Sequence, residues 1–282
     1  MSEGRITADD GTAIGYERRG QGPPLVLVHG AFVDRTFWGP SLPLLAQHYT
    51  VYAMDRRGHG TSGDYPPAAH DHTIEREYRD VSALLATIAE PAYLLGHSAG
   101  ARVALHAARR SPQVRTLVLY EPPSIAPVAP EIITRVYAAL AAGDIDTVVA
   151  TALIDVVGGA ANPDVPPEAL DQMLAGMRQS PIWAAVARNA RGIPAELESH
   201  NTYHFDPAEF RAFATPTVLL LGGSSGPMMQ HWVADLQADL PNSKIVILDG
   251  QGHGAMLEAP ELFTHAVRDA CAWTPGSRPE SD

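Results

Sequence analysis

Short unbroken apolar runs alternate along this chain with longer stretches whose apolar residues recur every three or four positions. The runs fall at Leu25–Val28, Thr50–Met54, Ala92–Leu95, Val114–Leu119, Thr217–Leu221 and Lys244–Leu248. All six read as strands, and Leu25–Val28, apolar throughout, predicts one covered on both faces, as in a parallel sheet. Between them, helical spacing is clear over Thr73–Ala89, where Ile74, Val81, Leu84, Leu85 and Ile88 share a face. Further helices are predicted around Trp38–Gln47, Ala101–Arg110, Met228–Leu240 and Pro260–Trp273. Arg5–Thr7 and Thr12–Arg18, around Asp10-Gly11, read as an opening hairpin. From 124 to 213 the alternation lapses into helical, alanine-rich sequence punctuated by proline. The pattern predicts an α/β fold: a mostly parallel sheet flanked by helices, formed by residues 1–123 and 214–273. Residues 124–213 are the expected helical lid, or cap, insertion, and the polar segment 274–282 a disordered tail. Open sheets of this kind bind ligands at the C-terminal edge of their strands, which an insertion leaving that edge would cover.

Composition narrows the partners. With 282 residues and 45% hydrophobic content, one domain carrying an insertion is expected. A formal charge of −12 argues against nucleic acid or an anionic membrane as a partner. The single cysteine, Cys271, fits a reducing compartment and falls in the apolar pattern of the last helix. Met1–Gly11 is polar, and no apolar run is long enough to cross a bilayer, so a cytoplasmic location is expected. Oligomeric state is left open between monomer and homodimer. No Cys/His cluster or phosphate-binding glycine loop calls for a metal or organic cofactor; His200 and His204 lack a third ligand.

Candidate chemistry begins at Gly96-His97-Ser98-Ala99-Gly100, between a predicted strand and a predicted helix. A nucleophile presented from such a sharp turn needs small neighbours, and the helix start supplies free N–H groups. Ser98 is therefore the candidate nucleophile. Its base is expected in Gly250-Gln251-Gly252-His253-Gly254, at the same sheet edge, making His253 the candidate. Two donors are needed for an oxyanion: the Ala99 N–H, and one from His29-Gly30-Ala31-Phe32, here Ala31. Phe32 and His97 are expected to line the substrate pocket, and His29 to be structural.

Leu27-Val28-His29-Gly30, Asp55-Arg56-Arg57-Gly58-His59-Gly60-Thr61-Ser62, Gly96–Gly100 and Gly250–His253 together resemble the α/β-hydrolase superfamily, in its lidded single-domain serine esterase branch. The resemblance covers residues 4–272. It implies the α/β-hydrolase fold, a Ser-His-acid triad and no cofactor, with Asp55–Ser62 acting as a turn signature. The family usually places the acid after the strand following the lid, but Ser225 stands there. The resemblance offers Glu121, directly after the Val114–Leu119 strand, as a relocated acid. A Ser-His dyad, or Asp249, remain alternatives. A serine nucleophile implies acyl chemistry on a small apolar ester or lactone. C–C cleavage, lyase, cyclase or perhydrolase chemistry on the same scaffold, and a ligand-binding protein that has lost turnover, are the competing readings. In the lid, Ile182, Trp183, Met173, Met177, Tyr203 and Phe205 are candidate pocket residues, although such residues at helical spacing more often pack a core. Met228 and Met256, next to the acid turn and to His253, are expected substrate contacts.

Overall fold

The computed structural model of the protein describes residues 1–64, 73–88, 90–123, 127–153, 172, 175–176 and 178–276. Met173 and Met177, and the tail from residue 277 on, lie outside the described residues.

Strands β1 (Ser2–Thr7) and β2 (Ala13–Arg19) form the expected hairpin. They are followed by β3 (Pro24–Val28), β4 (Thr50–Met54), β5 (Ala92–His97), β6 (Val114–Tyr120), β7 (Thr217–Gly222) and β8 (Ser243–Leu248). These make one sheet of order β1-β2-β4-β3-β5-β6-β7-β8. All pairings from β4 to β8 are parallel, whereas β1–β2 and β2–β4 are antiparallel. β5 lies inside the sheet with β3 and β6 on either side, and its register puts His97 beside Tyr120.

The apolar runs divide residue by residue between the two faces, because successive strand side chains point in opposite directions. Val26, Val28, Leu94, Leu117, Leu119 and Leu219 pack on one side against α2 (Ile74–Thr87), α3 (Ala99–Arg110) and Val233. Leu25, Leu27, Leu95, Val118, Val218 and Leu220 pack on the other against α1 (Ser41–Leu45) and the C-terminal helix. The predicted helix over Trp38–Gln47 is instead two pieces. A 3-10 turn spans Arg35–Trp38 and α1 follows, the break coming at Gly39, with φ 38°, and Pro40.

Between β6 and β7 the described residues are helical: α4 (Pro130–Ala141), α5 (Ile145–Ala150), α6 (Pro181–Arg188) and α7 (Ile193–Asn201). Val136, Val148, Val186, Ile193 and Leu197 form a separate apolar cluster with Phe32 and Val33 from the loop after β3. This insertion is therefore anchored on a loop at the C-terminal edge of the sheet. The chain closes with α8 (Pro227–Asp239), α9 (Ala255–Glu258) and α10 (Pro260–Ala272). Among the described residues no helix is long and apolar enough to cross a membrane. Cys271 is buried, and burial pushes its thiol up to about 12.

Candidate active site

Ser98 occupies the single residue between β5 and α3, with φ 52° and ψ −124°. Its N–H donates to Tyr120 O at 2.9 Å, which ties the turn to the end of β6. The flanking glycines are required by close approach. A Cβ on Gly96 would lie 2.5 Å from Gly100 O and 2.6 Å from Ala101 Cα, and one on Gly100 2.5 Å from Val28 O. Among the described residues only three non-glycine residues have positive φ: Phe32 (64°), Ser98 (52°) and Glu121 (46°). Each follows a neighbouring strand, β3, β5 or β6, at the same edge. Such backbone costs about 1–3 kcal/mol per residue and persists where the surroundings enforce it.

Glu121 reaches His253 across the sheet edge, its Oε2 2.6 Å from Nδ1. The side chain is 1% exposed, and its other oxygen accepts from Gly222 N–H at 2.8 Å and from the Ser225 hydroxyl. Burial alone would raise its pKa. The hydrogen bonds from His253 and Ser225, the charge of His253 and the Gly222 amide outweigh burial and lower it. A carboxylate at Nδ1 favours a proton on that nitrogen and orients the ring. Asp249 is exposed at the end of β8, and it is Glu121 that meets His253.

The histidine loop is clamped from below. His97 Nε2 donates to His253 O at 3.0 Å, and Tyr120 Oη donates to Gly252 O. His97 is buried, with its ring stacked on Phe37 and 4.5 Å from that of His253. Burial, with the charge of His253 beside it, keeps its pKa well below the ordinary value. The expectation that His97 lines the pocket is thus corrected: residue side chains alternate along β5, and His97 points under the loop, away from the cavity.

The loop after β3 is held by the insertion. Phe32 N–H donates to Glu196 Oε2 at 2.9 Å. Glu196, on α7, also accepts from Arg56 Nη1 (2.6 Å) and pairs with His59 Nε2 (3.0 Å). Burial would raise the Glu196 pKa, but the charges of Arg56 and His59 dominate and hold it far below the carboxylate range. With the Phe32 amide engaged, the Ala31 and Ala99 N–H groups have no acceptor among the described residues, and both residues border one cavity with Ser98. His29 is neutral and structural: burial and its cationic neighbours push it down to about 3, and its Nε2 accepts from Arg56 N–H at 2.9 Å. Asp55 ties its own turn, accepting from the Arg35 and Thr61 amides, each at 2.9 Å.

The cavity holds about 340 Å³ and brings together Ser98, Glu121 and His253 with Ala31, Ala99 and Phe32. Its apolar wall is Ile74, Leu197, Met229 and Trp232, and Arg56, Glu77, Arg102, Glu196 and His200 add charge and polarity. Three expected contacts are elsewhere. Met256 is 0% exposed in the core beneath α9 and α10. On α8 it is Met229, not Met228, that borders the cavity. Trp183 packs on the insertion's own cluster under Arg178. Met229, Trp232 and the charged wall were not legible in the sequence, since helical spacing alone does not say which face meets a cavity.

The chain matches the Alpha/beta hydrolase family over residues 25–266. It is 27% identical to 2-(acetamidomethylene)succinate hydrolase of Mesorhizobium japonicum over 94% of this chain and 91% of that one. An alpha/beta hydrolase from Sphaerobacter thermophilus, of known structure, is 32% identical, covering 95% and 99% of the two chains with a TM-score of 0.79. An enol-lactonase from Burkholderia xenovorans shares the fold at 20% identity and a TM-score of 0.71, over 96% and 100%. The strand–turn–helix at Ser98, the sheet order and the family match over most of the chain lead to one conclusion: this protein belongs to the alpha/beta hydrolase family.

Proposed function

We propose that this protein is a serine hydrolase that opens a small ester or lactone through an acyl-enzyme on Ser98. The observation that carries the reading is the 2.6 Å contact of Glu121 Oε2 with His253 Nδ1, on a cavity that Ser98 also lines. His253 Nε2 takes the Ser98 proton as Oγ attacks the carbonyl carbon. The Ala31 and Ala99 N–H groups receive the oxyanion, and the positive end of α3 adds to them. The tetrahedral intermediate collapses, and His253 protonates the departing alkoxide. Water then enters, gives its proton to His253 and attacks the acyl carbon; collapse returns the proton to Ser98 and releases the acid. Glu121 stays ionised throughout and stabilises the imidazolium. Ser225, in the usual place of the acid, orients Glu121 instead. The apolar wall of Ile74, Leu197, Met229 and Trp232 favours a substrate with an apolar body, and the cavity volume favours a small one. The relative named 2-(acetamidomethylene)succinate hydrolase supports hydrolytic chemistry.

The test is a fluorophosphonate probe followed by peptide mapping of wild type, Ser98→Ala and His253→Ala. Labelling at Ser98 that disappears in both variants is the expected result. A folded wild type that takes no label, and cleaves no p-nitrophenyl ester, overturns the reading.

A further inference from the structure

Arg56, Arg57 and Arg102 are the buried arginines among the described residues. The first two are matched by carboxylates. Arg56 meets Glu77 and Glu196, each at 2.6 Å, and Arg57 meets Asp80 at 2.7 Å and Asp10 at 2.8 Å. Arg102 has no carboxylate partner among the described residues. It is 5% exposed, and its Nε and Nη1 hydrogens have no acceptor. Nη2 lies 2.7 Å from His200 Nδ1, and the guanidinium lies 4.7 Å from the centre of the Tyr203 ring. The charges of Glu196 and Glu77 act on it from a distance, but a buried cation with no directly paired carboxylate is costly and calls for explanation. Burial pulls its pKa down to about 10, which still leaves it charged at neutral pH.

Its position supplies the explanation. Arg102 lies on α3 one helical turn beyond Ser98, and both residues border the same cavity. We propose that the substrate carries a carboxylate on its acyl or leaving part, and that Arg102 binds this carboxylate about one helical turn from Ser98. The inference rests on the hydrolase reading above and narrows its substrate class to anionic esters or lactones. The planar guanidinium matches a carboxylate in shape as well as charge. Both of these nitrogens are buried, and Arg102 borders the Ser98 cavity on one side and a second pocket, with Tyr203, on the other. Glu77 and Glu196 stand on the same wall but are engaged by Arg56. An entirely apolar ester would leave Arg102 uncompensated.

Binding is measured by calorimetry on Ser98→Ala protein, with methyl hydrogen glutarate as the anionic probe and dimethyl glutarate as its neutral counterpart. The anion is expected to bind at least roughly tenfold more tightly, a preference that weakens with salt. Arg102→Gln removes the preference, and Arg102→Lys retains part of it. Equal binding of the two probes, no measurable binding of the anion, or a preference that survives in folded Arg102→Gln each overturns the proposal. The comparison of probes on Ser98→Ala protein stands even if the arginine variants fail to fold. Because no turnover is involved, a failure here is distinct from failure of Ser98 to take the fluorophosphonate.

Discussion

Glu121 Oε2 and His253 Nδ1 lie 2.6 Å apart although 132 residues separate them in the chain. The contact puts the proposed acid at the end of β6, one strand from Ser98, and makes Glu121 the residue whose loss is most informative. Glu121→Gln keeps the shape but exchanges the charge for an amide that also permits the wrong tautomer of His253. kcat is expected to fall on the order of 10³–10⁴-fold. Steady-state kinetics on a p-nitrophenyl ester, with circular dichroism to verify folding, measure it. Activity within tenfold of wild type would mean the dyad reading is the better one.

Ser225 donates to the other oxygen of Glu121, beside the Gly222 N–H. Ser225→Ala leaves the amide in place and is expected to lower kcat only about 3–10-fold, the worth of one hydrogen bond. Ser225→Asp is predicted to be worse, not better, although it restores an aspartate to the family's usual position. Two carboxylates then share one buried site, and like-charge repulsion raises their pKa values. The acid limb of the pH–rate profile should move to higher pH in that variant. An Asp variant more active than Ala would show that Ser225 does not act through Glu121.

The Glu196–His59 pair predicts a pH window for stability. Burial opposes both charges, yet Glu196 is lowered from its ordinary 4.5, chiefly by Arg56 and His59, and His59 is raised from 6.5, chiefly by Glu196. A lowered acid stabilises the fold fully above 4.5 and loses that contribution as pH falls; a raised base stabilises it fully below 6.5 and loses it as pH rises through the folded value. The pair therefore contributes most between these two values. Urea unfolding across pH should show wild type declining on both sides of that window relative to Glu196→Gln. Parallel curves for the two proteins would count against the pairing.

Gly100 packs against the backbone of the loop after β3, where a Cβ would meet Val28 O at 2.5 Å. Gly100→Ala is expected to cost about 2–3 kcal/mol or more, because backbone must move to admit the methyl. Gly226→Ala, where a Cβ meets nothing within 4 Å, should change stability by less than about 0.5 kcal/mol. Denaturant midpoints of the two variants compare them directly. Equal midpoints would mean that the nucleophile turn relaxes more easily than its packing indicates.

The strands inside the sheet were legible because each carries an apolar run whose two faces are both buried. Leu25 and Leu27 go one way and Val26 and Val28 the other, so no alternation hides the run. Ser98 and His253 were legible because their glycines mark tight turns at strand ends, a local steric requirement. Strand order, helix rotation and the partners of charged groups are not local, and there the sequence was silent or misleading. Met256 lies near His253 in sequence and is buried in the core, whereas Met229 and Trp232 from α8 and Arg102 from α3 border one cavity. That Glu121 rather than Asp249 meets His253 depends on β6 and β7 lying side by side, which only the assembled sheet decides. The chain alone thus determined which residues have the chemistry for catalysis, since that is a matter of residue type and local backbone. The tertiary structure decided which of them meet, since charge and hydrogen bonding act over a few ångströms of space and not along the sequence.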